Sequence, residues 1–396
     1  LAADPPTEWI DPDTGHRVVR LSKEPGSESL YFHQNAYTPD GKKLIITTPS
    51  GISTIDLATR QIEPIIEGRV NILVTGRKTG DVYYIKDRTV LATNPDNKQT
   101  REVAKLPERG FVSSLNADET LLLGTTSEGR RGQEYVGPST APTTQQSNLT
   151  YAEQKEVRMN NRLEAHIPMT MFTLDTKTGE QKTILKSTDW LNHLQFSPSD
   201  PTLIMFCHEG PWHKVDRIWT IRTDGTGLSK IHTRTMNMEI AGHEFFSADG
   251  KTIWYDLQTP RGEDFWVAGF EIASGARAWY HLQRDEWSVH FNVSPDGSMF
   301  AGDGGDDEMV AHAKNGKWIY LFRPRGIPDV AGIHNPNAAD LIRPGVFDAE
   351  RLVNMTKHDY RLEPNVTFTP DMKWIVFRSN MFGDTHVFAA EIAKAK

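Results

Sequence analysis

The stretch 245–256, FFSADGKTIWYD, is two short apolar runs joined by Ser247-Ala248-Asp249-Gly250. That joint is turn chemistry: Ser and Asp bond nearby backbone, and Gly tolerates positive φ. The same arrangement recurs as AYTPDGKKLIITT (36–48), SLNADETLLLGTT (114–126), LQFSPSDPTLIMF (194–206), NVSPDGSMFAGD (292–303) and VTFTPDMKWIVFRS (366–379). A degenerate copy, ILVTGRKTGDVYYIKD (72–87), fills the gap between the first two. A second turn of the Asp-x-x-Thr-Gly kind follows most of them, as in LDTKTGEQKTIL. Each unit is therefore about four short strands joined by tight turns.

Units recurring roughly every 40–50 residues predict an all-β, seven-bladed β-propeller that takes up residues 1–396 as one domain. DPDTGHRVVRLS reads as an outermost strand with no strands before it, and the C-terminal unit lacks its fourth. The N-terminal strand is therefore expected to close the last blade, which removes two exposed edges. An insertion around 127–167, mostly loop, interrupts the third unit. Its one helical stretch is TYAEQKEVRMNNRLEAH (150–166).

The net charge of -8 gives no electrostatic footprint for nucleic acid. No apolar run approaches the roughly 18 residues that a membrane span needs. Cys207 is the single cysteine, so neither an intramolecular disulfide nor a zinc–cysteine cluster is available. The opening LAADPP resembles the small-residue end of a cleaved signal peptide, which predicts a periplasmic or secreted protein.

Propeller blades let equivalent positions be aligned. The residue four before the first-turn Ser, Thr or Asn is Gln34, Val112, His193, His243, His290 or Asn365. Strand side chains alternate with period two, so these side chains are expected to ring the axis at one mouth. Glu363 shares their parity further out, whereas alternation sends Glu244 between blades. Loops from the second to the third strand add His208, Glu209 and Arg217, then Asp303, then Arg378. The connection NMTKHDYRLEP brings His358 and Tyr360, and the insertion brings Arg130 and Arg131.

Such a mouth offers imidazole, guanidinium, carboxylate, amide and phenol groups. It has no Gly-x-Ser-x-Gly elbow and no phosphate-cradling glycine loop. It suits an anionic sugar, whose carboxylate an arginine forks bidentately. It also suits β-elimination on a uronic acid. The C5 proton lies α to a carboxylate, so its removal needs that charge neutralised by a metal or by Arg and amide donors. The base needs a pKa near working pH, which neutral histidine has. Two other classes fit the same repeat: a non-catalytic propeller that binds a glycan or a protein, and a glycosidase using two of Glu209, Glu244, Asp303 and Glu363.

Four pieces carry a resemblance: FCHEGPWHKVDRIW (206–219), the His-Glu-Phe of AGHEFFSADG (241–250), the histidine leading HFNVSPDG (290–297), and FTPDMKWIVFRSN (368–380). With most of the chain around them, they resemble the oligogalacturonate lyases. These are seven-bladed propellers that cleave short pectin fragments by β-elimination with a Mn²⁺-type metal. The resemblance implies that His243 is the base, that Arg217 assists at the substrate and that His290 is a metal ligand. Glu363-Pro364-Asn365 stands where the family has His-Pro-His, and Tyr360 where it has glutamine. The implied metal set is then His290, Glu363 and Asn365, oxygen-richer than the family's. It is compatible with Mn²⁺, Ca²⁺ or Mg²⁺, or with no ion and neutralisation by Arg217 and its neighbours. His208, Glu209, His193, Gln34, Tyr360 and Arg378 are the expected substrate-side residues. The expected partner is an acidic, uronic-acid-containing oligosaccharide, and the family's own location is cytoplasmic.

Overall fold

The first turns fold as their residues dictate. Ser247 donates to Asp249 Oδ1 at 2.7 Å and accepts from the Thr252 amide at 3.0 Å, while Asp249 accepts from the Lys251 amide. Gly250 takes φ 72°. The same lock is made by Thr38 with Asp40, Ser294 with Asp296 and Thr369 with Asp371. The second turns are held by an aspartate capping two amides, as Asp56 does for Ala58 and Thr59 and Asp175 for Lys177 and Thr178. These local bonds fix the hairpin registers, and the registers decide which side chains face the axis.

The computed structural model describes residues 4–128, 149, 151–307, 309, 313, 315–330 and 335–395. Arg130 and Arg131 lie outside them. The chain opens with strands β1 (Glu8–Ile10) and β2 (His16–Arg20). Blade 1 is β3 (Glu28–Ser29), β4 (Lys43–Thr48), β5 (Gly51–Asp56) and β6 (Ile62–Glu67). Blade 2 is β7 (Asn71–Thr75), β8 (Val82–Lys86), β9 (Thr89–Thr93) and β10 (Thr100–Lys105). Blade 3 is β11 (Gly110–Leu115), β12 (Leu121–Ser127), β13 (Met169–Asp175) and β14 (Gln181–Ser187), with helix α1 (Tyr151–Glu164) between its second and third strands. Blade 4 is β15 (Trp190–Phe196), β16 (Leu203–Glu209), β17 (Ile218–Arg222) and β18 (Ser229–Lys230). Blade 5 is β19 (Ile240–Phe246), β20 (Thr252–Gln258), β21 (Phe265–Glu271) and β22 (Arg277–Leu282). Blade 6 is β23 (Phe291–Val293), β24 (Phe300–Gly302), β25 (Trp318–Gly326) and β26 (Arg343–Asn354). Blade 7 is β27 (Thr367–Phe368), β28 (Trp374–Ser379) and β29 (His386–Lys394).

The seven-bladed propeller read from the repeat is the fold. Its closure is the expected one: β2 pairs with β29 through Val18–Ala390 and Val19–Ala389, and β1 extends the same sheet. One feature had no sequence signal. Strands β25 and β26 outgrow their blade, and β26 pairs in parallel with β22 from Ala278–Arg343 to His281–Val346. Blades 5 and 6 thereby share one eight-stranded sheet. Gly345 permits this, since a Cβ there would meet the Tyr280 ring at 2.4 Å.

Between blades, apolar side chains interdigitate. Phe245, Phe265, Trp287, Phe291 and Phe322 fill the seam of blades 5 and 6. Polar bolts supplement this packing. Glu119, at φ 62°, reaches from blade 3 to accept from the Lys78 and Thr79 amides, the Thr79 hydroxyl and the Tyr83 phenol of blade 2. Gly76 makes the room, because a Cβ there would sit 2.5 Å from that carboxylate. Glu119→Ala strips four donors of their acceptor, and is expected to cost about 2–3 kcal/mol. Glu119→Gln should cost less. Denaturant unfolding checks this, and an Ala variant within about 0.5 kcal/mol of wild type, the scatter of ordinary surface changes, removes the bolt. Among the described residues no helix is long and apolar enough to cross a membrane.

Candidate active site

The mouth residues project toward the axis because the inner strands are bulged there. Register slips between Asn192 and Gln195 in β15 and between Gly242 and Phe245 in β19. The residues inside the slips, His193 and His243, both take φ 46°, and Asn365 before β27 takes φ 55°. Left-handed backbone at a non-glycine residue costs about 1 kcal/mol or more, and such strain concentrates at functional sites. Three aligned positions thus share one strained conformation.

His243 is held at one nitrogen. Its Nδ1 lies 3.1 Å from Asp256 Oδ1 on the neighbouring β20, and no described residue hydrogen-bonds its Nε2. Trp212 packs against it at a tilt, 4.9 Å between centroids, and His290 edges it at 4.7 Å. Gly242 is the seat for Trp212, since a Cβ there would lie 2.0 Å from that ring. Burial, reinforced by the charge of His290, holds the His243 pKa well below the usual histidine value. Burial also pushes the Asp256 carboxyl up to about 7. Asp256 Oδ2 is buried without a hydrogen-bond partner.

His290 is anchored in the same manner. Its Nδ1 lies 2.8 Å from Asp303 Oδ2, and Asp303 Oδ1 accepts from its backbone amide. Its Nε2 faces the Tyr31 phenol at 3.3 Å and Glu363 at 3.7 Å. Burial works against its charged form, but Asp303 and Glu363 outweigh it and raise its pKa.

Arg217 forms the third group. It is buried, its Nη1 bonds Glu209 at 2.6 Å, and its guanidinium lies 4.3 Å over the Trp212 ring. Its Nε has no hydrogen-bond partner. Glu209 also holds His193 Nε2 at 3.1 Å and the Asn192 amide at 3.2 Å. Burial opposes its ionisation, yet Arg217 and His193 keep its pKa well below the usual range. Glu244 is buried between blades without a hydrogen-bond partner, close enough for its charge to act on Arg217.

The other expected residues fall elsewhere. His208 stacks on Trp219 at 5.3 Å with Nδ1 3.2 Å from Asp189, on the face of β16 opposite Glu209. Tyr360 is fully buried one layer back, its phenol donating to the Asp303 carbonyl at 2.9 Å. Arg378 ties the Glu363 carbonyl to the Glu28 carboxylate and so steadies Glu363. Gln34 caps the Tyr31 amide at 3.0 Å. It also lines a cavity of about 90 Å³ with Arg77, Pro198 and Ala248, at the opposite end of the axis among the first turns. Blade 1 instead sends Tyr31 to the mouth, where it stacks on His193 at 6.1 Å.

The donors around His290 do not fit a resident divalent ion. The Asn365 amide is engaged at both ends, donating to the Glu363 carbonyl at 3.0 Å and accepting from the Phe32 amide at 3.3 Å. The Tyr360 phenol is spent on the Asp303 carbonyl. Of the expected ligands, His290 Nε2 and the Glu363 carboxylate face each other at 3.7 Å, with the Tyr31 phenol also on Nε2. Among the described residues no three His, Cys, Asp or Glu side chains converge as a metal site requires.

Helix α1 leans over this mouth. Met159 packs with Trp212 and Ile240, Glu156 accepts from Arg261 at 2.9 Å, and Asn160 accepts from Lys214. One helical turn before Met159 stands Lys155, which no described residue pairs by hydrogen bond or ion pair. Its charge reaches the groups below, lowering the pKa of both His243 and Glu363.

Comparison with known proteins follows the same line. The oligogalacturonate lyase family model matches residues 165–395. Oligogalacturonate lyase of Dickeya dadantii (strain 3937) is 25% identical over 403 residues, covering 97% of this chain and 95% of that protein. Oligogalacturonide lyase of Pectobacterium atrosepticum is 24% identical with the same coverage. Among solved structures, an oligogalacturonate lyase in complex with manganese superimposes with a TM-score of 0.76 at 24% identity, covering 98% of this chain and 96% of the other. The oligogalacturonate lyase of Vibrio parahaemolyticus does so with 0.75 at 21% identity and the same coverage, and both likenesses bear on the fold.

Proposed function

The chain belongs to the oligogalacturonate lyase family, and on that footing we propose that it is a lyase cleaving oligogalacturonate-like chains of uronic acid by β-elimination. The observation that carries this reading is the His243–Asp256 pair. A carboxylate on Nδ1 fixes the tautomer whose Nε2 lone pair is free. Burial keeps that imidazole neutral, so it is ready to take a proton.

The steps follow from the charges. His243 Nε2 removes the C5 proton, and the electrons spread onto the adjoining carboxylate. They return to form the C4–C5 double bond as the C4–O bond breaks, and the leaving oxygen keeps the C4–O bonding pair and takes a proton from solvent. The intermediate carries more negative charge than the ground state, so fixed cations stabilise it selectively. Arg217 is such a fixed charge. A guanidinium does not give up its proton at working pH, and the ion pair with Glu209 and the Trp212 ring lock its position. Its Nε is buried and unpartnered, so the guanidinium keeps charge that Glu209 does not take up.

The test is a panel of uronic-acid oligosaccharides, oligogalacturonate first, followed by ultraviolet absorbance of the unsaturated product and by product mass. Elimination adds no water, whereas hydrolysis does. Cleavage with water uptake, or binding with no cleavage of any uronate, would replace this reading by a glycosidase or a non-catalytic glycan-binding propeller.

A further inference from the structure

We propose that Lys155 binds the carboxylate of the uronate whose C5 proton His243 removes, supplying at this mouth the positive charge that a divalent ion would otherwise bring. The inference rests on the β-elimination reading and deepens it.

A C5 proton becomes removable only if the neighbouring carboxylate is neutralised as it takes on enolate character. The donors beside His290 do not gather as an ion site: the Asn365 amide is engaged by backbone, and His290 Nε2 has only Glu363 and Tyr31 before it. Arg217 supplies one fixed charge but shares it with Glu209, which already accepts from it at 2.6 Å. The mouth therefore needs a second cation that is not already spent.

Lys155 is that cation, by position and by lack of partner. Side chains four apart share a helix face, so Lys155 lies on the side of α1 from which Met159 packs onto Trp212 and Ile240. Trp212 is also the ring against which His243 packs and over which Arg217 lies. The helix is pinned there by the Glu156–Arg261 pair and by Asn160 with Lys214, so the lysine stem starts from a fixed point above the base. Lys155 is half-buried, and its ammonium has no carboxylate partner among the described residues, while its charge is felt at His243 and Glu363. A half-buried lysine with no ion-pair partner among the described residues, beside a base that acts on a carbon next to a carboxylate, is a carboxylate receptor. Glu363 feels the charge of both His290, 3.7 Å away, and Lys155.

Three variants, Lys155→Ala, Lys155→Gln and Lys155→Arg, are compared with wild type after exhaustive dialysis against chelator. Substrates are an acidic oligogalacturonate and its methyl ester, and His243→Asn proteins with and without Lys155→Ala supply acid-binding affinities independent of turnover. Lys155 lies on a helix surface, and an unchanged unfolding midpoint controls for folding. Expected are retained wild-type activity after chelation, a fall in kcat/KM of about 10- to 100-fold for Ala and Gln on the acid, and recovery to within about tenfold for Arg. The methyl ester should show no such penalty, and weaker binding of the acid by the double variant should match the loss. Unchanged kcat/KM in Lys155→Ala, an equal penalty on acid and ester, or activity lost to chelator and restored by Mn²⁺ overturns the inference and leaves the lyase reading standing. Absence of any unsaturated product from wild type overturns the lyase reading. Lys155-dependent preference for acid over ester in binding would then still identify the carboxylate receptor.

Discussion

His243→Asn loses at least about 10³-fold in kcat on an oligouronate while its unfolding midpoint stays within about 1 kcal/mol of wild type. Asparagine is the informative replacement because it tolerates φ 46° better than most residues and so keeps the bulge. The other two imidazoles of the bulged mouth are already engaged. His290 Nδ1 is spent on Asp303 and its raised pKa favours the form that has no lone pair to offer. His193 is turned to Glu209. Added imidazole should restore part of the rate, since the gap left above Trp212 has the shape of the missing ring. Product formation followed by ultraviolet absorbance measures it, and an Asn variant within tenfold of wild type would move the base elsewhere. Relief of strain is visible separately: His243→Gly should be as stable as wild type or more so, with equally little activity.

Asp256→Asn should cost about 10²- to 10⁴-fold in kcat, through the tautomer of its neighbour rather than through any contact with sugar. Ionised Asp256 accepts the Nδ1 proton and leaves Nε2 basic. An amide can donate to Nδ1 instead, which puts the proton on Nε2 and blocks the base. The same logic sets the pH profile. Burial lifts the Asp256 carboxyl to about 7, so below that value a protonated carboxyl donates to Nδ1 and the rate falls. The expected wild-type rate therefore rises through pH 7 and levels above it. The Asn variant should lose that rising limb. It should also be no less stable than wild type at pH 8, because it removes a buried carboxylate oxygen that has no partner. A variant that is both inactive and unfolded, or one that keeps the limb at pH 7, would show that Asp256 does something else.

The blades were legible because their turns are chemically stereotyped and local. Counting back from Ser197, Ser247 and Thr369 reached His193, His243 and Asn365, which share one backbone conformation. What counting could not show is the bulge that aims them. In blade 1 the method failed for a physical reason: β3 has two residues and the chain then turns, so Gln34 caps that turn and Tyr31 takes the mouth. The acid partners had a signal that went unread, since Asp256 and Asp303 each follow their histidine by 13 residues on the adjacent strand. Tyr360 and Arg378 act one layer behind the mouth through contacts as distant in sequence as Arg378 with Glu28, which no local pattern encodes. Lys155 sits on an insertion, where repeat spacing carries no information.

The parallel seam of β22 with β26 has one more consequence, for how the molecule breathes. Opening an ordinary propeller requires only that one blade peel from its neighbour along a greasy interface. Here the blade with His243 and Asp256 and the blade with His290 and Asp303 are one hydrogen-bonded ladder from Phe246 to Phe291. They can open only together. Amide hydrogens across both should exchange as one slow cooperative block, with blades 2 and 3 exchanging sooner. The two imidazoles, 4.7 Å apart at the mouth, thus stand on blades that are tied to each other at their outer edge.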